Sequence, residues 1–310
     1  MFRNTRHIHL VAIGGIGMSG IAEILLNLGF TVSGSDLRTS AITDRLADLG
    51  ATIHPGHDAA NVDGADVVVR SSAVTEANVE VAAAREARIP VIRRAEMLAE
   101  LMRLKYGIAV AGSHGKTTTT SIVAAVLAAG GLDPTVIAGG RVEALGSNAV
   151  LGGGEYLVAE ADESDGTFLH LTPTVAIVTN IDHEHVDFYP DLDALRAAFA
   201  KFLNQVPFYG ACVLCADDPE VRALLPHLDR KALTYGLGRE ADVWAEPVVV
   251  PADFPGQKVR VKALGEDLGE MSLRLRGRHN LLNALAAVAV GLELGMDAAG
   301  IAAGLAACRG

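Results

Sequence analysis

Hydrophobic positions arrive in short runs, separated by stretches in which they recur every three or four residues. His7 to Ile13 is the first run, and Phe30 to Gly34 is a second that ends at Ser35 and Asp36. Ala51 to Ile53, Asp66 to Arg70 and Pro90 to Ile92 follow. Between them, Ile21 to Leu28, Ala41 to Leu49 and Val79 to Ala87 have helical period, and Ala95 to Leu104 predicts a further helix with Glu and Arg on its polar face. Strands alternating with helices at this spacing predict a parallel sheet covered by helices. A new strand, Tyr106 to Ala111, opens a second unit. Strand-like runs recur there at Thr135 to Ile137, Tyr156 to Ala161, Thr174 to Thr179 and Ala211 to Cys215, with helices at Lys116 to Ala129 and Leu192 to Phe202. Val259 to Leu264 and Met271 to Leu275 alternate with period two, which suits antiparallel strands. The tail, Asn280 to Leu294 and Ala298 to Ala307, is helical and Ala-rich. The expected fold class is α/β with two domains, residues 1–104 and 105–310.

Composition narrows the function. The chain has 310 residues, half of them hydrophobic (50%), so a sizeable core forms. Lys and Arg number 26 against 37 Asp and Glu, a net charge of −11, which argues against a broad nucleic-acid-binding surface. Any phosphate must therefore be caught by local loops. Three Cys make no disulfide framework. No signal peptide is read at the N-terminus, and Glu293, Asp297 and several Gly break the most apolar stretch, so a cytoplasmic protein with no membrane span is expected.

Gly14-Gly15-Ile16-Gly17-Met18-Ser19-Gly20 contains G-x-G-x-x-G between a strand and a helix. Glycines there allow a tight turn and close backbone approach, and a diphosphate can sit on the helix N-terminus. Asp36, at the end of the next strand, stands where an acid can reach a ribose hydroxyl. The ligand can be a dinucleotide or another nucleotide diphosphate; spacing does not separate them, and a purely structural turn stays open.

Gly112-Ser113-His114-Gly115-Lys116-Thr117-Thr118 also follows a strand and precedes a helix. Its Gly-x-x-Gly-Lys-Thr core supplies N–H donors for phosphate oxygens, a lysine for the β/γ-phosphates and a hydroxyl for Mg²⁺. The usual first glycine is replaced by Val110, so this is a shortened form of the nucleoside triphosphate loop. Glu160, Asp162, Glu163 and Asp165 cluster at the end of a later strand, and carboxylates so dense favour a nearby cation. The alternative is a solvated acidic loop. His183-x-His185-x-Asp187 invites a zinc-hydrolase reading, but no Cys or further His follows, and the triphosphate loop argues against it. Cys212-x-x-Cys215 lies inside an apolar strand and reads as buried structural cysteine. Gly277-Arg278-His279-Asn280, with Asn283, is either a helix cap by Asn280 or part of a nucleobase pocket.

Together, Ile13 to Ala22, Gly112 to Thr119, Glu160 to Asp165, Phe202 to Gly210 and Gly277 to Ala284 resemble the Mur ligases, in order and over nearly the whole chain. The resemblance implies a Rossmann-like N-terminal domain for a UDP-sugar, then a P-loop ATPase-type α/β domain. It implies an ADP-forming ligation of L-alanine to the carboxylate of UDP-N-acetylmuramate through an acyl-phosphate, with ATP and Mg²⁺. By the same resemblance Lys116, Glu160 and His185 are catalytic, and Thr117, Glu160 and His185 hold metal. Gly112, Ser113, His114, Gly115, Lys116, Thr117, Thr118, His279, Asn280 and Asn283 bind ATP. Gly15, Gly17, Met18, Ser19, Asp36, Ser71, Ser72 and Asn180 line the UDP-sugar side. Glu184 stands where the family usually has Asp. The family's C-terminal amino-acid-binding domain is expected to be absent from this chain. Three rival readings remain: a ligase that attaches a recycled tripeptide to the same sugar nucleotide, an NAD-dependent oxidoreductase fused to a P-loop module, and a non-catalytic nucleotide sensor.

Overall fold

A computed structural model describes residues 5–142, 147–184, 188–249 and 254–308. The first sheet contains β1 (His7–Val11), β2 (Thr31–Asp36), β3 (Thr52–Pro55), β4 (Val67–Arg70) and β5 (Val91–Arg93). All pair in parallel, in the order β3-β2-β1-β4-β5. The order reverses at β1, so the crevice where an open sheet takes ligands lies beyond Val11. The connecting helices are α1 (Ile16–Asn27), α2 (Ala41–Asp48), α3 (Val79–Glu86) and α4 (Arg94–Met102). Ser40 caps α2 and Asn78 caps α3 through side-chain oxygens, which fixes where each begins.

The second sheet contains β6 (Tyr106–Ala111), β7 (Thr135–Val142), β8 (Ser147–Val150), β9 (Tyr156–Glu160), β10 (Val175–Val178), β11 (Ala211–Cys215), β12 (Ala232–Gly236), β13 (Val243–Val248), β14 (Gln257–Ala263) and β15 (Glu266–Leu273). Its order is β15-β14-β13-β12-β11-β10-β6-β9-β7-β8. The central strands are parallel; β7–β8 and β13–β14–β15 are antiparallel. Its helices are α5 (Lys116–Ala129), α6 (Leu192–Asn204), α7 (Pro219–Leu224), α8 (Arg278–Glu293) and α9 (Ala298–Ala307). Strands β12 and β13 and helix α7 lie where no element is expected from the pattern, because Ala-Leu-Thr-Tyr-Gly and Val-Trp-Ala-Glu-Pro-Val mix polar residues into short runs. β12 is a strand because the edge of β11 offers it hydrogen-bond partners, and β13 because β12 and β14 do.

Parallel strands covered on both faces read as continuous apolar runs, as β6, β10 and β11 do. One face packs on α5, α8 and α9, with Ile108, Val110, Val158 and Ile177 beneath them. Small residues let these helices approach closely: a Cβ on Gly304 of α9 would run into the backbone of α5 at Val126. The Ala-rich tail is therefore a packing surface. The other face carries Ala109, Ala159, Phe168, Phe199 and Phe202, and this core continues through Leu98 and Met102 of α4 to Ile13 and Ile21 of the first unit. Cys212, Cys215 and Cys308 are buried. Among the described residues, no helix is long and apolar enough to cross a membrane.

Candidate functional site

The turn after β1 starts with Ala12 in a left-handed conformation, φ 63°. The Gly14 N–H donates to Oδ2 of Asp36 at 2.9 Å, and the Arg38 N–H reaches the other carboxylate oxygen at 3.2 Å. Asp36 thus ties the turn to the end of β2. Met18 and Ser19 are buried, and the Ser19 hydroxyl donates to the Ile16 carbonyl at 2.9 Å. Their side chains belong to the core because helical period turns these positions inward, so what they present toward the turn is backbone. Gly15 caps α1 at its N-terminus. Gly17 lies under Arg94, whose Nη1 is 2.9 Å from where a Cβ on Gly17 would stand. Ser71 and Ser72 follow β4, and the Ser71 hydroxyl accepts from the Ala73 N–H at 3.4 Å. Ser72 lines a cavity of about 250 Å³ together with Arg70, Arg93, Arg94, Asp165 and Phe188.

Behind this turn lies a buried polar layer. The Glu80 carboxylate accepts from Ser35 at 2.6 Å and Asn61 at 2.6 Å, and lies 3.0 Å from His57 and 3.6 Å from His9. Burial pushes its pKa up, but the nearby His9 ring and hydrogen bonds from Ser35 and Asn61 more than reverse this, holding it at about 2.

The second glycine turn is stitched to the segment after β10. Asn180 uses both ends of its carboxamide on one residue: Oδ1 accepts from the His114 N–H at 2.8 Å, and Nδ2 donates to the His114 carbonyl at 3.0 Å. Thr179 donates to the same carbonyl at 2.7 Å. The Ser113 hydroxyl accepts from the Asp182 N–H at 2.8 Å, and the exposed His114 ring lies 3.1 Å from the Asp182 carboxylate. Gly112 has φ 126° and Gly115 φ 81°, so both need glycine. A Cβ on Gly115 would also sit 2.9 Å from Oδ1 of Asn283. Asn180, expected on the UDP-sugar side, therefore braces the loop expected to take ATP.

Lys116 and Thr117 begin α5. Lys116 Nζ contacts Gly112 O at 2.6 Å and each carboxylate oxygen of the buried Glu163 at 3.0 Å. Glu160 ends β9 and accepts the Gly139 N–H at 2.8 Å. Burial raises its pKa; bonds from Gly139 and the Thr117 hydroxyl and the charge of Lys116 offset this only in part. Asp162 is held below the usual range: burial pushes it up, but bonds from Ser164 and the charges of Lys116 and Arg94 outweigh that. Lys116, Thr117, Gly139, Glu160, Asp162 and Arg94 line a cavity of about 260 Å³. A carboxylate that burial disfavours as an anion, beside a hydroxyl, gains from a hard cation, and this oxygen pair fits Mg²⁺. Among the described residues no three His, Cys, Asp or Glu side chains converge on one point, so a cation here takes its other oxygens from ligand and water. His185 lies outside the described residues, and His183 is exposed.

Helix α8 starts at Arg278 with Gly277, φ 98°, as its cap. Asn280 is therefore inside the helix, and its side-chain amide donates to the Arg276 carbonyl at 2.8 Å. His279 is exposed at the helix start, and Asn283 is buried against the second glycine turn. Arg278 pairs with Asp217 at 2.7 Å, joining this helix start to the end of β11. The pattern alone points to none of Arg94, Thr179 and Asp217. Glu163 stands in the acidic run, with no sign there that it pairs with Lys116.

Comparison with known proteins adds an independent line. Residues 7–106 match the family model described as "Mur ligase family, catalytic domain", and residues 110–291 match "Mur ligase middle domain". A UDP-N-acetylmuramate–L-alanine ligase of Syntrophobacter fumaroxidans is 58% identical over 306 residues, which cover 98% of this chain and 65% of that one. One from Desulfotalea psychrophila is 57% identical over 311 residues, covering 100% and 67%. The chain thus spans about two thirds of the length of these curated relatives (65% and 67%). Among solved structures, a UDP-N-acetylmuramate-alanine ligase from Thermotoga maritima superposes with a TM-score of 0.84 at 33% identity, covering 99% of this chain and 69% of that one. A UDP-N-acetylmuramate:L-alanyl-gamma-D-glutamyl-meso-diaminopimelate ligase from Neisseria meningitides gives 0.88 at 29% identity, covering 99% of both.

Proposed function

The chain belongs to the Mur ligase family, and from that premise we propose that it forms the nucleotide-binding part of an ATP-dependent ligase joining L-alanine to the carboxylate of UDP-N-acetylmuramate. Residues 1–104 take the sugar nucleotide and residues 105–310 take ATP. The observation that carries this reading is the cavity between the two glycine turns: Lys116, Thr117 and Glu160 line it from one unit and Arg94, which covers the first turn, from the other. The reaction belongs to the cytoplasm, where ATP and the sugar nucleotide are at hand.

In this reading Lys116 leaves Glu163 to neutralise the triphosphate, and the carboxylate of the sugar nucleotide attacks the γ-phosphorus, breaking its bond to the bridging oxygen and releasing ADP. The acyl-phosphate then yields to the amine of L-alanine, because phosphate is a far better leaving group than oxide. Thr117 and Glu160 hold Mg²⁺, which supplies charge neutralisation on the phosphates. Thr179 and Asn180 keep the loop backbone aimed at the phosphates. Asn283 and His279 stand on the adenine side. The recycling-ligase reading shares the fold of the Neisseria protein, but the 58% identity to an L-alanine ligase favours alanine.

Calorimetric titration of this chain with UDP-N-acetylmuramate, with NAD as comparator, tests the assignment of the first unit. Saturable binding of the sugar nucleotide alone is expected. Binding of NAD without it would overturn the reading and move the unit to the oxidoreductases.

A further inference from the structure

We propose that Arg94 is the specificity-determining residue that grips the carboxylate of the sugar nucleotide and holds it against the triphosphate; this rests on the reading above. An acid substrate and a triphosphate repel each other, and the ligation requires them to touch. A cation must stand where they meet.

Among the described residues, two other cations nearby have other work: Lys116 serves the triphosphate in the reading above, and Arg70 is held by its own loop, while Arg93 lines only the cavity on the Ser72 side. Lys116 is bonded to Glu163 and to the Gly112 carbonyl. The Arg70 guanidinium donates to the Val74 carbonyl at 2.6 Å and to Glu76 at 2.9 Å. Arg94 differs. Its ion pair is one long contact with Asp162 at 4.0 Å, and its side chain remains 25% exposed. It begins α4, so its position is set by the helix, not by a loop. Its guanidinium lies over Gly17 of the first glycine turn. It also lines both cavities, the one that holds Ser72 and the one that holds Lys116 and Glu160. A sugar nucleotide seated on the first turn and reaching toward Lys116 has to pass it. A planar guanidinium takes a carboxylate through two parallel bonds, which a lysine does not.

The test compares two ligands that differ in that carboxylate. UDP-N-acetylglucosamine lacks the lactyl ether of UDP-N-acetylmuramate and shares the rest. Calorimetry on this chain, with Mg²⁺ and a non-hydrolysable ATP analogue present, gives the preference for the muramate. In Arg94→Ala that preference is expected to fall by about 10- to 100-fold, with affinity for UDP-N-acetylglucosamine held. Arg94→Lys, which keeps the charge and loses the fork, is expected to fall between. Equal weakening of both ligands would overturn the proposal and put Arg94 on the diphosphate or in the fold. Equal affinity of the unaltered chain for both ligands would overturn it while leaving the sugar-nucleotide reading intact. Binding of neither ligand would overturn that reading, and the proposal with it.

Discussion

The ammonium of Lys116 stands 3.0 Å from each carboxylate oxygen of Glu163, a residue 47 positions away and buried. Glu163 holds the lysine in place before any phosphate arrives, and it keeps its own charge from being stranded in the core. Removing one member of a buried pair is costly, because it leaves the other charge uncompensated. Lys116→Met is therefore expected to destabilise the protein by about 3 kcal/mol, and adding Glu163→Gln to restore most of that. Urea unfolding of the single and double variants checks this. Equal losses in both would show that a stranded Glu163 charge is not what destabilises the single variant. ATP binding is expected to be lost in both.

Gly112 has φ 126°, and a Cβ there would collide with the Thr179 hydroxyl and stand 2.9 Å from the Asn180 carbonyl oxygen. Gly112→Ala is expected to cost about 2 kcal/mol of stability and to displace the phosphate loop. ATP affinity, read by calorimetry, should drop at least about tenfold. Unchanged affinity would mean that the loop does not receive the triphosphate.

The two bonds from Asn180 to the His114 backbone lead to a selective effect. Asn180→Ala is expected to weaken ATP binding by about tenfold and to leave UDP-N-acetylmuramate binding within about twofold. The reverse pattern, in parallel titrations with each ligand, would return Asn180 to the sugar-nucleotide side.

Glu80 makes the fold pH-sensitive. Its folded pKa is about 2 against an ordinary value of 4.5. A carboxyl with a depressed pKa contributes stability that is complete above its unfolded value and is lost as pH falls toward the folded one. Glu80→Gln is therefore expected to be less stable than the parent chain at neutral pH by about 3 kcal/mol. The gap should narrow steadily between about pH 4.5 and pH 2. Denaturant midpoints of the two proteins across that range decide it, and a gap that stays constant would remove Glu80 as the source.

Glu160 ends β9 beside the Thr117 hydroxyl, so its loss should appear in the metal dependence. Glu160→Gln is expected to raise the Mg²⁺ concentration needed for ATP binding by about tenfold or more. Asp191→Asn, at the exposed cap of α6, is the control and should leave it unchanged. A similar rise in both variants would remove Glu160 from the metal site.

What could be read from the chain alone was local. Both glycine turns are contiguous segments, and their chemistry follows from glycine, a strand end and a helix start within a few residues. The alternation of strands and helices and the antiparallel pair near the end are periodic signals of the same kind. The tertiary structure decided what depends on sheet order. It buried Met18 and Ser19 of α1, so that backbone and not these side chains faces the first turn. It formed β12 and β13, whose mixed composition becomes strand only when a neighbouring strand offers an edge, β11 to β12 and β12 in turn to β13. It set Asn180 on a backbone 66 residues away. It set Arg94 between Gly17 and Asp162, contacts that join two sheets. No periodicity carries such pairings, because they are made by packing elements whose order in space differs from their order in the chain.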